Sequence, residues 1–358
     1  MLQPQLPILP PFRNEGLFTD HYLADVLPTA AALWTLDGMD AARAELAALW
    51  GDEAPKVAGY NEAQLEEHFI RPVLRVLGQV FEVQTAASSR QPDYGLFADE
   101  AARDGAKIVD PTGGRAYWSR ALAVGDAKSW ERKLDKATGT DAAWGFANPS
   151  FQNYHYLAQT GCRWALLTNG RHWRLYSGDP KPNLQVFYEV DLPALLEGQD
   201  PDALAYFWLF FRRAAFLRDP EGKCFLDKVR AESDLAAERL REDVKEGVYK
   251  ALLETCRGFV GHTPNQLTDA DLGAVHDNAL VFLYRLLFVL YAEAGDLLPV
   301  RGNPQYRSQY SLHAIKQQVE SAEPGTFLDG VANLAHSLNK VFDIRLIHAG
   351  DVCRRPKY

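Results

Sequence analysis

The chain has 358 residues, of which 47% are hydrophobic and 24% charged, and it carries a formal net charge of −9. That length holds two domains or one large one, and the composition is that of a globular protein able to bury a proper core. The negative balance argues against a protein that coats DNA through surplus Lys and Arg, but not against a nuclease, whose metal-binding carboxylates make a chain acidic. Cys162, Cys224, Cys256 and Cys353 are scattered without zinc or disulfide spacing, so a reducing, cytoplasmic setting is expected.

Residues before about Asn14 read as a proline-rich leader without the basic and apolar regions of a signal peptide. Leu17 to Trp50 has a helical pattern with a break at Pro28, and Gly51 to Gly59 is a loop. Asn61 can cap the next helix, with Glu62 in its first turn. Leu65, Phe69, Val73 and Leu77 recur every fourth residue as one apolar stripe, and Pro72 should kink or split the helix. At 100° per residue Glu62 and Glu66 fall inside that stripe, whereas Glu67 and Arg71 face away.

Strands are predicted at Val80–Val83, Tyr94–Phe97, Ala121–Val124, Trp164–Thr168, Trp173–Tyr176 and Val186–Val190, with a helix around Phe151–Gln159. Asn169-Gly170 between two apolar runs signals a hairpin. This order indicates an α/β or α+β core. From Pro201 the pattern is almost wholly helical, and Tyr206–Phe211 reads as a packed aromatic stripe. The apolar run Ala279–Pro299 is interrupted by Arg285, Glu293 and Asp296, so it reads as a buried helix and no membrane partner is expected. The division expected is an N-terminal segment 1–50, an α/β domain 51–200 and a helical domain 201–358.

The chemistry centres on Pro92-Asp93-Tyr94 and Gly125-Asp126-Ala127-Lys128. Side chains alternate along a strand, so Asp126 and Lys128 share a face. If Asp93 ends a neighbouring strand, two carboxylates and an ammonium converge. Mg²⁺ takes one or two carboxylates plus waters and phosphate oxygens, which suits Asp93 and Asp126; Mn²⁺ can substitute. Lys128 would orient the attacking water or neutralise phosphate, and Glu62 would complete the metal environment or hold a water. Taken alone, Asp93 reads as a turn residue after proline and Asp-x-Lys far more often as a surface ion pair, since such triplets are common. Gln152 and Tyr156 lie one helical turn apart, and Gln152 is a candidate for positioning the nucleophile. Arg132, Lys133 and Lys136 form a basic patch near the proposed site, and with Arg171 and Arg174 of the hairpin they are candidate DNA contacts. No His-Glu-x-x-His and no Walker-type loop is present.

Pro92-Asp93 followed by Asp126-Ala127-Lys128 resembles the PD-(D/E)XK nuclease signature. Gln152 to Tyr156 resembles the Gln-x-x-x-Tyr element of RecB-like members, and Trp164 to Tyr176 is similar to the Leu-Thr-Asn-Gly stretch of type I and type IIG restriction subunits. Asn61 to Gly78 looks like the opening helix of these nucleases, which puts the acidic position on Glu62, with Glu66 as rival. Leu283 to Pro299 resembles the helical connector of type IIG enzymes. The resemblance implies a restriction-endonuclease-like core with a mixed sheet followed by an all-helical domain. Its implied activity is Mg²⁺-dependent hydrolysis of double-stranded DNA in a restriction-modification or phage-defence system. Type IIG enzymes continue into an adenine methyltransferase and a target-recognition domain. No Asn-Pro-Pro-Tyr-like tetrad or glycine-rich cofactor loop is seen in this sequence, so it is expected to be a fragment, a truncated gene product, or a subunit whose methyltransferase and target-recognition modules are separate partners. The alternatives are a RecB-like repair nuclease and a degenerate, non-catalytic DNA-docking or assembly subunit.

Overall fold

Short runs of Val, Tyr, Trp and Leu, each bounded by turn residues, form one mixed sheet. The computed structural model describes residues 10–83, 91–139, 148–180, 182–262, 265–295, 297–300, 302–312 and 314. The strands are β1 (Arg13–Asn14), β2 (Val80–Val83), β3 (Tyr94–Phe97), β4 (Ala123–Ala127), β5 (Trp164–Thr168), β6 (His172–Ser177) and β7 (Tyr188–Asp191). They lie in the order β1-β7-β6-β5-β4-β3-β2. Every neighbouring pair is antiparallel except β4 and β5, which run parallel and are joined through the helix Pro149–Thr160. The chain is therefore mixed α/β.

Both faces of the sheet are covered, which is why β3, β4 and β5 are buried along their whole length. One face carries Leu96, Ala123, Leu166, Trp173, Leu175 and Tyr188 into the larger core. Helix α1 (Met39–Glu53), the segments α2 (Glu62–Leu65) and α3 (Arg71–Val76), and the turn between those two supply Leu46, Leu65, Phe69, Val73 and Leu74 to it. The other face carries Phe97, Val124, Ala165, Leu167 and Tyr176, packed with Tyr156 and Leu157. Helix α4 (Glu100–Val109), helix α5 (Arg115–Trp118) and α6, the Pro149–Thr160 helix, bring Ala106, Trp118 and these last two residues to that side.

Pro72 splits its helix as expected. Its missing N–H removes a hydrogen bond, and a wide π turn at Glu66–Ile70 joins α2 to α3, with Arg71 N–H donating to the Glu66 carbonyl. The wide turn overturns the helical-wheel placement of Arg71. It sits within reach of both Glu66, at 3.5 Å, and Glu67, at 2.5 Å.

Two compact units divide at Arg239/Leu240, not near residue 200. The reason is aromatic. Helix α7 (Leu192–Glu197) leads into α8 (Ala205–Phe211), whose Phe207, Phe210 and Phe211 are fully buried in the larger core. Phe207 meets Trp173 edge-on and Phe210 stacks on Tyr188. Each fully buried Phe stabilises the fold by about 1.5–3 kcal/mol, so α8 cannot belong to a separate helical domain. The N-terminal stretch is likewise integral: β1 pairs with β7, and Phe12, Leu17, Phe18 and Tyr22 are core residues.

The described elements of the second unit are helices, with the end of α9 (Phe225–Gly261), α10 (Leu272–Ala294) and α11 (Pro304–Gln309). Glu293 on α10 accepts from Tyr306 Oη at 3.0 Å and from Leu312 N at 2.9 Å. Contrary to expectation, α10 is not a buried helix. Only Val275, Ala279, Val289 and Ala292 are buried, whereas Tyr284, Phe288 and Tyr291 are exposed. By length and composition the Asp269–Ala294 stretch is apolar enough to cross a membrane.

Candidate active site

The site is set by the register of β3 against β4. Tyr94 opposes Gly125 and Leu96 opposes Ala123, so one step further Asp93 faces Asp126. Opposed residues share a sheet face, which brings the two carboxyls side by side. Asp93 Oδ2 accepts the Ala127 N–H at 2.8 Å, extending the ladder with a side chain. The expected third strand, Ala121–Val124, in fact runs to Ala127, because β3 and β5 pair with it on both sides. Asp126 is thereby fixed inside a strand rather than in a loop, and Lys128 N–H donates to Thr168 O at 2.8 Å just beyond.

Lys128 folds back over this end of the sheet. Its Nζ forms a tight ion pair with Asp126 Oδ2, donates to Ala127 O at 2.8 Å and lies 3.9 Å from Asp93 Oδ2. Three oxygens thus surround one cationic centre. Asp126 is 1% exposed, and its Oδ1 has no hydrogen-bond partner. Burial pushes the Asp126 carboxyl well above the usual carboxylate range, with Lys128 opposing the rise and Asp93 adding to it. Burial works in the other direction on Lys128, but the carboxylates of Asp126, Asp93 and Glu62 outweigh it and hold the ammonium charged.

Glu62 and Glu66 separate in the structure. Asn61 caps α2 in a capping box with Gln64, which aims the first turn at the end of β4. Glu62 is solvent-exposed as a residue, yet its carboxyl tip turns toward the chain just after Lys128 and accepts the Ser129 N–H at 3.1 Å. Desolvation there raises its pKa, with Lys128 pulling the other way. Glu66 is committed elsewhere, in a short hydrogen bond from Tyr94 Oη on the opposite face and a contact with Arg71. The geometry therefore places Glu62 rather than Glu66 beside Lys128.

Helix α6 closes the other side. Gln152 Nε2 donates to Tyr156 Oη at 2.6 Å, so the two residues share a face as expected. Burial raises the Tyr156 pKa, and the nearby Asp126 charge adds to it, which puts this pair next to the carboxylates.

The basic candidates divide. Lys133 is exposed and Arg132 half-buried, with its guanidinium donating to Lys136 O at 2.7 Å. Arg171 is exposed and pairs with Asp191 at 2.8 Å. Arg174, expected as a DNA contact, is buried away from any such role. Its side chain is 4% exposed and donates to both Asp135 oxygens, at 2.6 and 2.9 Å, and in a short bond to Glu189, over the Phe187 ring. It is an internal cation holding β6 to β7.

Sequence reasoning also missed what Asn169 does. Read as a turn residue, it is buried, and its Nδ2 donates to Trp130 O at 3.1 Å and Arg132 O at 3.0 Å in the loop after Lys128. The spacing of Asn169 from that loop gives no local signal of the contact. The turn centres on Gly170-Arg171, with Gly170 at φ 82° and Trp130, Leu65 and Phe69 about its missing Cβ.

Whether the residues fit a metal can be judged from the donors. No cluster of three His, Cys, Asp or Glu side chains suited to a metal occurs among the described residues. What is offered is two carboxyls, one with an unpartnered buried oxygen, with Glu62 as a third acid near the single Lys128 ammonium. Two carboxyls suit Mg²⁺, which keeps several waters and would favour their ionised form, and do not suit zinc. No family model, curated protein or solved structure matches the chain.

Proposed function

We propose that the first unit is a Mg²⁺-dependent nuclease with a restriction-endonuclease-like core, cutting double-stranded DNA by hydrolysis of a phosphodiester bond. The observation that carries this reading is the opposition of Asp93 and Asp126 across β3 and β4, with the Lys128 ammonium on the same oxygens. Asp93 and Asp126 would hold the metal, with Mn²⁺ able to replace Mg²⁺. When bound, the ion supplies an acidic site that lowers the pKa of water and neutralises phosphate charge. The chain's own residues do the rest. Lys128 is a buried, fixed positive charge that can orient the attacking water or stabilise charge developing on the phosphate. The raised pKa of Glu62 suits it to take a proton from a water at the cleft mouth. Gln152, held by Tyr156, can position the nucleophile from α6. Exposed Lys133 and Arg171, with Arg132, are the remaining candidates for phosphate backbone contacts.

The recognition and methyltransferase functions would reside outside these 358 residues, on the same polypeptide or on partners, in a cytoplasmic restriction-modification or phage-defence system. Incubating the chain with supercoiled plasmid and Mg²⁺ or Mn²⁺ tests the reaction, and Mn²⁺ binding followed by electron paramagnetic resonance tests the metal site separately. The reading expects nicking that EDTA stops, and Mn²⁺ binding that Asp126→Asn removes. Mn²⁺ binding unchanged in Asp126→Asn would overturn the assignment of the site.

A further inference from the structure

The residue that sets the catalytic loop is not in the loop. Between Lys128 and the basic patch the chain makes one tight turn, in which Arg132 N–H donates to Ser129 O at 2.9 Å. That turn carries the Ser129 N–H that meets Glu62, and it follows directly on Lys128. Two carbonyls, those of Trp130 and Arg132, belong to this turn. Both are taken by the side-chain amide of Asn169, on the β5–β6 hairpin. A single NH₂ group has two N–H bonds, so both of its hydrogens are used. The remaining Asn169 oxygen accepts the His172 N–H at 2.7 Å, so the side chain is rotationally locked.

We infer that Asn169 is a positioning residue for the proposed nuclease site: its amide clamps the Ser129–Arg132 turn and thereby fixes Lys128 and the Ser129 N–H opposite Glu62. The inference rests on the nuclease reading for its catalytic consequence, but not for the clamp itself. Three observations carry it. Asn169 is 3% exposed, so its hydrogen bonds are shielded from competing water. Its neighbour Thr168 accepts the Lys128 N–H, which ties the hairpin to the site a second time. The hairpin is itself rigid: Gly170 N–H donates to Thr168 Oγ1 at 2.9 Å, and Trp173 Nε1 to Gly170 O at 2.9 Å.

The clamp is separable from folding. Trp130 packs independently, stacked on Trp50 and edge-on to Phe69, so the loop keeps an apolar anchor without Asn169. The two functions of the side chain are separable as well. Asn169→Asp retains an oxygen for His172 N–H while removing the two donors, and faces the carbonyls with oxygen. Asn169→Ser is smaller and neutral and cannot span both carbonyls.

The test uses the full chain in two arms. In the first, hydrogen exchange resolved to single amides compares wild type with both variants. Ser129 and Arg132 should exchange about tenfold faster or more, while Leu166 and Leu167 in the β4–β5 ladder stay protected. The His172 amide should keep its protection in Asn169→Asp. In the second arm, plasmid cleavage should show kcat lowered about 10–100-fold, with KM and Mn²⁺ affinity unchanged, because the Asn169 side chain bonds to the Trp130 and Arg132 carbonyls and the His172 N–H and not to Asp93 or Asp126. Unchanged exchange at Ser129 and Arg132 in both variants overturns the clamp. Faster exchange with undiminished kcat overturns the positioning role. A wild-type chain that cuts no DNA under any metal would sink the nuclease reading alone, and the exchange arm would still decide whether Asn169 holds the turn.

Discussion

Replacing Arg174 by Ala should unfold the first unit at a markedly lower temperature while leaving DNA affinity untouched where the protein is folded. The guanidinium is 4% exposed and faces two unequal carboxylates. Asp135 is half exposed, so solvent screens its loss of a partner. Glu189 is 7% exposed, and the other cation it pairs with is Arg13, 3.7 Å away at the surface. Stranding a buried carboxylate in this way costs about 3–5 kcal/mol, and loss of the cation over Phe187 adds to it. At about 2–4 °C per kcal/mol for a unit of this size, the melting temperature should drop by roughly 6–20 °C. Thermal unfolding followed by circular dichroism measures the shift. The double variant Arg174→Met/Glu189→Gln, which removes the stranded charge, should recover most of it. Acid should narrow the gap between wild type and Arg174→Ala. The hydrogen bonds from Arg174 hold the Asp135 carboxyl below its ordinary pKa, so their contribution is present at neutral pH and fades as pH falls through that depressed pKa. A loss under about 1 kcal/mol with weakened DNA binding would refute the reasoning and return Arg174 to the nucleic-acid interface.

Other outcomes follow from the same geometry. Glu62→Gln should raise the melting temperature at neutral pH, because a carboxyl whose folded pKa is raised by desolvation destabilises the fold once ionised; the gain should vanish well below pH 4, where the acid is protonated in both states. A melting temperature unchanged at pH 7 would show that the carboxyl tip is solvated. Gly170→Ala combines positive φ with a Cβ at 3.2–3.3 Å from Trp130, Leu65 and Phe69, so it should cost about 1–3 kcal/mol by urea denaturation. A neutral effect would mean that the turn relaxes freely.

How much of this was legible in the sequence depends on which interactions are local. Apolar alternation located β2, β3, β5 and, to within a residue or two, β6 and β7. Asn-Gly marked the hairpin, and spacing put Asp126 and Lys128 on one face. The end of β4 was not legible, because a carboxylate inside a strand reads as the start of a loop until both neighbouring strands are known. Arg174 alternates with Trp173 and Leu175, so the sequence placed it on the polar side; only α6 and Phe187, distant in sequence, make that side an interior. The π turn at Glu66–Ile70 shifted Arg71 off a wheel drawn at constant pitch. The aromatic stripe of α8 was recognised as core, but which core it joined depended on Trp173 and Tyr188 across the sheet. The Asn169 clamp joins residues nearly 40 positions apart and has no periodic signature.

The central claim, that Asp93, Asp126 and Lys128 form a metal-dependent DNA-cutting site, is tested most directly by plasmid nicking with Mg²⁺ or Mn²⁺. Wild type, Asp126→Ala and Lys128→Ala would be compared at equal folded concentration. Wild type should nick, Lys128→Ala should fall by about 10²–10³-fold with metal binding retained, and Asp126→Ala should lose cleavage together with its metal. Nicking at the wild-type rate in both variants would contradict the account and place the active site elsewhere in the chain.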